Sequence, residues 1–145
     1  MKDFKAVRTD VRRTVAETPS ACAQWGDRDA DFIREILDLV GDKWSVALLG
    51  ILDGGALRYS DLAAAVPGIS QRMLTLTLKQ LQRDGFVRRI SHAEVPPRVE
   101  YGLTTLGASL LSAVLGLAGW SAENQVLVRR SQAEFDADNA AEGDA

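Results

Sequence analysis

The sequence contains a single cysteine, a single histidine and no run of 18 apolar residues. Cys22 has no second cysteine in the chain with which to form a disulfide, which agrees with a reducing compartment. A chain without a long apolar run offers no membrane-spanning segment. Residues 1–5 alternate charge and do not begin an apolar signal segment. We therefore predict a cytoplasmic protein with no membrane partner.

The scarcity of histidine and cysteine also argues against catalysis. Neither a nucleophile–base pair nor a metal site can be assembled from these residues, and no ligands are clustered at metal-binding spacing. Asp27, Asp29 and Asp31 have the placement of a helix N-terminus and its lead-in, which differs from a general-acid pair. His92 is predicted to be a solvated loop residue. We expect no enzyme activity, no cofactor and no metal.

Charge is distributed unevenly along the 145 residues, whose net charge is −3. Residues 54–99 carry seven lysines and arginines against three acids, whereas residues 132–145 carry five acids and no base. Because nucleic acid responds to the local field at a docking face, the basic middle segment is compatible with DNA binding despite the negative total. The alternative is ordinary scatter of charge along the chain.

The basic segment has a recognisable order of elements. Ser60 is predicted to cap a short helix, and Pro67–Gly68 is predicted to form a turn after it. Ser70 is predicted to begin a second helix, which ends at Asp84–Gly85. Two β-like runs follow, 86–91 and 98–103, joined by a loop with two prolines. Helix, turn, helix and a β-hairpin is the order of a winged helix-turn-helix, whose second helix usually enters the major groove of DNA.

The second helix is amphipathic. Leu74, Thr77, Leu78 and Leu81 form one stripe that we expect to pack on the core. The candidate DNA-binding residues lie around the opposite face and in the wing: Ser70, Gln71, Arg72, Thr75, Leu76, Lys79, Arg83 and Arg98.

Individual roles follow from side-chain chemistry. Arg72 is the best candidate for bidentate guanine recognition, and Lys79 for phosphate. Leu76 either contacts a thymine methyl group or is an incidental exposed leucine. The basic face could equally be a solvated helix surface, and the module could serve protein contacts without binding DNA.

The flanking segments complete a mainly α fold with a small β-wing. We predict an N-terminal arm (1–26), a winged helix-turn-helix domain (27–103), a dimerisation helix (104–133) and a disordered acidic tail (134–145). In the last helix, apolar residues recur at heptad spacing, which predicts a homodimer interface: Leu106, Leu110, Ala113, Leu117 and Trp120.

Four segments, in this order and spacing, resemble one family: Leu39–Trp44, Leu57–Leu62, Pro67–Leu74 and Glu94–Tyr101. They resemble the HxlR-type regulators, bacterial winged-helix proteins related to the MarR group. The likeness runs from about Phe32 to Trp120. It implies a homodimer, a palindromic double-stranded DNA operator, and control of genes for detoxification or redox stress.

The sequence departs from the family pattern at two positions. Many members carry a redox cysteine where this chain has Asp31, and Asp42 replaces the second glycine of the family motif. Cys22, nine residues earlier, is either a displaced redox sensor or an unremarkable cysteine. Trp44 and Trp120 either fill the core and interface or line an apolar crevice for a small aromatic effector.

Overall fold

The computed structural model describes residues 26–143. The predicted N-terminal arm, with Cys22, lies outside the described residues. The elements in chain order are α1 (Asp27–Gly41), α2 (Lys43–Leu52), β1 (Leu57–Arg58), α3 (Tyr59–Ala65), α4 (Gln71–Arg83), β2 (Val87–His92), β3 (Arg98–Leu103) and α5 (Thr105–Gly143). The predicted fold class, mainly α with a small antiparallel wing, is confirmed.

The chain divides into two compact units, one ending at Gly41 and the other beginning at Asp42. We had predicted the boundary between residues 26 and 27, with α1 inside the winged domain. The apolar pattern runs through α1 and α2 alike, and it does not reveal which helix contributes to which core. The division falls at the single non-helical residue between the two helices, Asp42.

The second unit begins with a capped core helix, α2. The Asp42 carboxylate accepts hydrogen bonds from the Ser45 backbone N–H at 2.9 Å and the Ser45 hydroxyl at 2.6 Å, as expected of an N-cap. Leu48, Leu49 and Leu52 are buried. This apolar helix therefore lies in the core of the second unit.

The sheet has the strand order β1–β3–β2, antiparallel throughout. Leu57 pairs with Tyr101, and Val87 pairs with Leu103. Strand β1 ends at Arg58, so Tyr59 is the first residue of α3 rather than the last of a strand, and Ser60 is not the cap. Pairing with β3 extends only to Arg58, and Arg58 occupies the N-cap position without a side-chain hydrogen bond.

The stripe predicted on α4 is buried against this unit. Leu74 and Leu81 are fully buried, and Leu78 and Thr77 nearly so. The Thr77 hydroxyl donates to the Met73 carbonyl at 2.8 Å, which satisfies a polar group inside the core. The opposite face of α4 is consequently fixed toward solvent.

Helix α5 starts in close contact with the base of the wing. The Thr104 hydroxyl accepts from the Gly107 backbone N–H at 3.0 Å and donates to the Gly85 carbonyl at 2.6 Å. Thr104 therefore caps the helix. Gly107 is buried, and only glycine fits at this position. A Cβ there would overlap the Phe86 carbonyl oxygen and lie 2.8 Å from Leu103 Cδ1.

Helix α5 runs to Gly143, ten residues beyond the end we predicted. The expectation of a disordered acidic tail is therefore corrected for residues 134–143, which are helical. The segment lacks proline and is rich in alanine and glutamate, which favour helix. Arg130 and Glu134, paired at 2.9 Å one turn apart, support the extension.

Helix α5 is also long and apolar enough, by length and composition alone, to cross a membrane. Only 11% of its most apolar 18-residue window is buried within the chain. Our sequence criterion, an unbroken apolar run, had not detected this window because serines and glycines interrupt it. A single helix of this kind is weak evidence, since helices that pair with another helix have the same composition.

Candidate nucleic-acid interface

The first turn of α4 is held by its cap. The Ser70 hydroxyl accepts a hydrogen bond from the Met73 backbone N–H at 3.0 Å, and Ser70 has extended backbone angles typical of an N-cap. The turn before it contains Gly68 at φ +86°, a conformation that favours glycine. The N-terminus of α4 is thus open to solvent with its remaining N–H groups available to an anion.

Three cations lie on the exposed face of α4: Arg72, Lys79 and Arg83. None of them forms an ion pair with another residue in the described part of the chain. The acid at the end of the helix, Asp84, accepts a hydrogen bond from Gln80 at 2.8 Å. A row of unpaired cations on a helix whose other face is buried gives a positive surface suited to phosphate.

Apolar side chains accompany these cations. Leu76 is 51% exposed and Met73 is 40% exposed, both on the solvent side of α4. The predicted exposure of Leu76 is confirmed, which leaves its contact with DNA as a proposal.

A tyrosine outside α4 is attached to its first turn. The Tyr59 hydroxyl lies 2.8 Å from the Gln71 carbonyl oxygen and 2.9 Å from Thr75 Oγ1. The Thr75 hydroxyl is itself 2.9 Å from the same carbonyl oxygen. Our sequence reasoning missed Tyr59, because nothing in the local pattern links it to residues 12 and 16 positions later.

The wing places Arg98 among acids. Its guanidinium lies 3.1 Å from Glu94 and 3.4 Å from Glu100, and its side chain is 31% exposed. Glu100 also lies 3.5 Å from His92 Nε2. His92 ends strand β2, where we had predicted a loop. Contact between Arg98 and DNA would have to compete with these two carboxylates.

Two other arginines in the wing are more available. Arg88 and Arg89 are exposed on β2, and neither forms an ion pair with a described residue. Arg89 donates to the Ser91 hydroxyl at 3.1 Å. At the tip of the hairpin, Val95 is fully exposed. The wing therefore offers its free positive charge from β2.

Comparison with known proteins identifies the family to which this sequence belongs. The family described as HxlR-like helix-turn-helix matches residues 39–128, which include α2 through the first two-thirds of α5. The chain belongs to the HxlR-like family.

Relatives of this HxlR-like protein are transcriptional regulators. The HTH-type regulator YtfH of Escherichia coli is 44% identical over 87 residues, 60% of this chain and 69% of YtfH. A MarR-family regulator from Enterococcus faecalis matches with a TM-score of 0.65 and 34% identity, over 77% of this chain and 99% of that one. The redox regulator HypR in its oxidised form matches with a TM-score of 0.57 and 39% identity, over 63% and 95%.

The predicted dimerisation stripe of this HxlR-like chain is exposed except at Leu110, which is half-buried. The neighbouring Leu111, outside the stripe, is buried against the domain. Further along α5 the side chains face solvent: Leu117 is 54% exposed and Trp120 is 57% exposed. Leu106, at the start of the helix, is also 55% exposed. Among residues 26–143, a large apolar surface of α5 is therefore uncovered.

The two tryptophans of the predicted effector crevice have different surroundings. Trp44 is half-buried, with the Lys43 ammonium 4.4 Å above its ring centroid and its ring edge beside Gly68. Trp120 lies on the exposed part of α5.

Proposed function

We propose that this chain is a transcriptional regulator that binds double-stranded DNA as a homodimer at a palindromic operator. The observation that carries the proposal is the exposed face of α4, where three cations have no ionic partner among the described residues and the opposite face is buried. The family and its regulator relatives support the same reading. Regulation follows when occupancy of the operator changes the access of transcription machinery to nearby genes.

In the proposed complex, α4 enters the major groove with its N-terminus foremost. Arg72 reads a guanine, and Lys79 and Arg83 meet phosphates. Ser70, whose hydroxyl already accepts from Met73, still has its own proton to donate to a phosphate oxygen. The side chains of Gln71, Thr75 and Leu76 meet base edges, and the wing meets the backbone through Arg88, Arg89 and, in competition with its acids, Arg98.

DNA binding is tested by fluorescence anisotropy with the duplex upstream of the protein's own gene and with duplexes selected from a random library. We expect tight binding that weakens steeply with salt. Arg72→Ala should lower affinity and relax sequence preference, whereas Arg129→Ala, an exposed cation on α5, should do neither. Failure to bind any duplex would refute the proposal and favour a protein-contact module, for which exposed Leu76 and Met73 would be natural contacts.

The homodimer is proposed from the uncovered stripe on α5. A helix with this much exposed apolar surface gains stability from a partner, and heptad spacing allows knobs-into-holes packing with a second helix. Asn124, half-buried on the same seam, is a polar residue of the kind that fixes register in such pairs. Two copies would hold their α4 helices about 34 Å apart, one turn of DNA.

Two exposed leucines of α5 allow a test of whether the dimer uses this stripe specifically or any exposed apolar side chain of the helix. Leu117 and Leu115 are exposed to similar extents, 54% and 59%, but they point to nearly opposite sides of α5. We expect Leu117→Glu to give a monomer in sedimentation at micromolar concentration, and Leu115→Glu to leave the dimer intact. A monomeric wild type would refute the proposed assembly.

The signal is proposed to be a reactive or aromatic small molecule, or redox stress. Cys22 is one candidate sensor, supported by the likeness to the redox regulator HypR. An aromatic molecule held near Trp44 and Trp120 is the other. Diamide should abolish DNA binding by the wild type but not by Cys22→Ser if the cysteine is the sensor. Changed tryptophan fluorescence across a panel of quinones and phenols would indicate the non-covalent route.

We also propose a cytoplasmic location, since an operator-binding protein must reach DNA. The apolar surface of α5 is then covered by a second copy and not by lipid. Recovery of the protein in the soluble fraction after high-speed centrifugation, without detergent, tests this assignment. Recovery only with membranes would contradict it.

A further inference from the structure

Tyr59, Gln71 and Thr75 form a closed triangle of polar contacts at the start of α4. The three oxygen–oxygen distances are 2.8, 2.9 and 2.9 Å, and each lies within hydrogen-bond range. Tyr59 and Thr75 are half-buried, so the triangle lies at the edge of the exposed face of α4.

The protons in this triangle can be counted. The Gln71 carbonyl supplies none, so the two hydroxyls provide two protons for three contacts. Tyr59 can donate to Thr75 while Thr75 donates to the carbonyl, Thr75 can donate to Tyr59 while Tyr59 donates to the carbonyl, or both hydroxyls can donate to the carbonyl. In all three arrangements each hydroxyl proton is used within the protein.

The consequence concerns what Thr75 can offer to DNA. With its proton committed, the Thr75 hydroxyl has no donor for the N7 or carbonyl oxygen of a base. The contacts to Tyr59 and Gln71 also fix the rotation of the side chain, and thereby the direction of its methyl group. Leu76, the next residue, adds a second apolar group at the same end of the helix.

We propose that Tyr59 is a positioning residue for DNA readout, and that it makes Thr75 recognise the methyl group of a thymine instead of a hydrogen-bond acceptor. This inference rests on the proposed DNA binding. It assigns sequence selectivity to a tyrosine on α3, which makes no base contact itself. The Tyr59 hydroxyl determines whether Thr75 turns its methyl group or its hydroxyl group toward the DNA.

The test begins with duplexes selected from a random library by the wild-type protein. Each thymine of the selected site is then replaced by uracil, which removes only the 5-methyl group. For the wild type we expect about a fourfold loss of affinity at one thymine in each half-site, the effect of one buried methyl group. Thr75→Ser, which lacks the methyl, should bind thymine and uracil equally there.

Two further variants separate positioning from simple support of the fold. Tyr59→Phe removes one of the two partners that hold the Thr75 hydroxyl, so the hydroxyl can turn more readily from the Gln71 carbonyl toward DNA. The thymine preference should then fall and a different base be selected. The double variant Tyr59→Phe, Thr75→Val has no hydroxyl to rotate, and valine presents methyl groups in either direction. It should therefore recover the thymine preference, as should Thr75→Val alone. A merely structural role for Tyr59 would not be rescued in this way.

The outcomes distinguish the inference from the function on which it rests. If the wild type enriches no duplex, both the proposed function and the inference fail. If it enriches a site whose thymine-to-uracil profile is unchanged in Thr75→Ser, the inference alone is overturned. Urea titration of each variant ensures that the compared proteins are equally folded at the assay temperature.

Discussion

The close approach at Gly107 gives a sharp prediction, because two glycine-to-alanine changes in helices should have opposite signs. In an open helical position, alanine is more favourable than glycine by about 1 kcal/mol. Gly50, in α2, is such a position: apart from its own stretch of helix, no described atom lies within 4 Å of where its Cβ would be. Gly50→Ala should therefore stabilise the protein by about that amount.

Gly107→Ala should gain the same stability from helix propensity, but it should lose more through steric overlap. The new Cβ would overlap the Phe86 carbonyl oxygen, and Leu103 Cδ1 lies 2.8 Å from it. Overpacking costs about 1–3 kcal/mol, and we expect the upper end because the nearest atom is backbone and cannot rotate away. The Thr104 N–H also bonds that carbonyl at 3.1 Å and would be strained with it. The net loss is about 2 kcal/mol once the helical gain of about 1 kcal/mol is subtracted.

Urea unfolding followed by circular dichroism measures both variants. Protein concentration must be equal in every titration, because association adds to apparent stability. Gly50 is preferred to Gly116 as the control because Gly116 lies on α5, the proposed dimer helix. A Gly107→Ala protein as stable as the wild type would refute the argument that α5 requires glycine to reach the base of the wing.

Three further outcomes are expected. Asp42→Ala should lower the free energy of unfolding by about 0.5–2 kcal/mol through loss of the α2 cap, and Asp42→Asn should restore most of it, both by urea titration. Lys79→Ala should weaken binding to all duplexes about equally and reduce the slope of log affinity against log salt by about one, whereas an unchanged slope would remove Lys79 from the phosphate contacts. Glu94→Ala should increase DNA affinity by releasing Arg98, and unchanged affinity would mean that Arg98 does not reach the DNA.

The features that could be predicted from the sequence are mostly local. Ser70 was identified as the start of α4 because an N-cap bonds a residue three positions along the chain. The buried stripe of α4 follows from helical spacing, which needs no knowledge of the rest of the fold. The order of helices and strands, together with the family resemblance, was enough to predict the winged helix-turn-helix.

The features that were missed depend on contacts between distant residues or between strands. Tyr59 reaches Thr75 across the turn, and no spacing rule connects them. The pairing of Arg98 with Glu100, and of Glu100 with His92, depends on the register of the hairpin, in which His92 lies opposite Arg98. The sequence pattern predicts Arg98 as a DNA-binding residue of the wing, and it does not reveal these partners because it does not fix the loop length or the register.

The length of α5 has a consequence for how the protein responds to its own abundance. Its 39 residues extend about 58 Å, whereas the buried positions on it, Gly107 and Leu111, lie within its first two turns. In the proposed homodimer, most of the helix is therefore buried only by association. If two chains must meet before operator binding, the concentration of active dimer rises with the square of monomer concentration at low expression. Modest changes in synthesis or degradation would then produce disproportionate changes in operator occupancy.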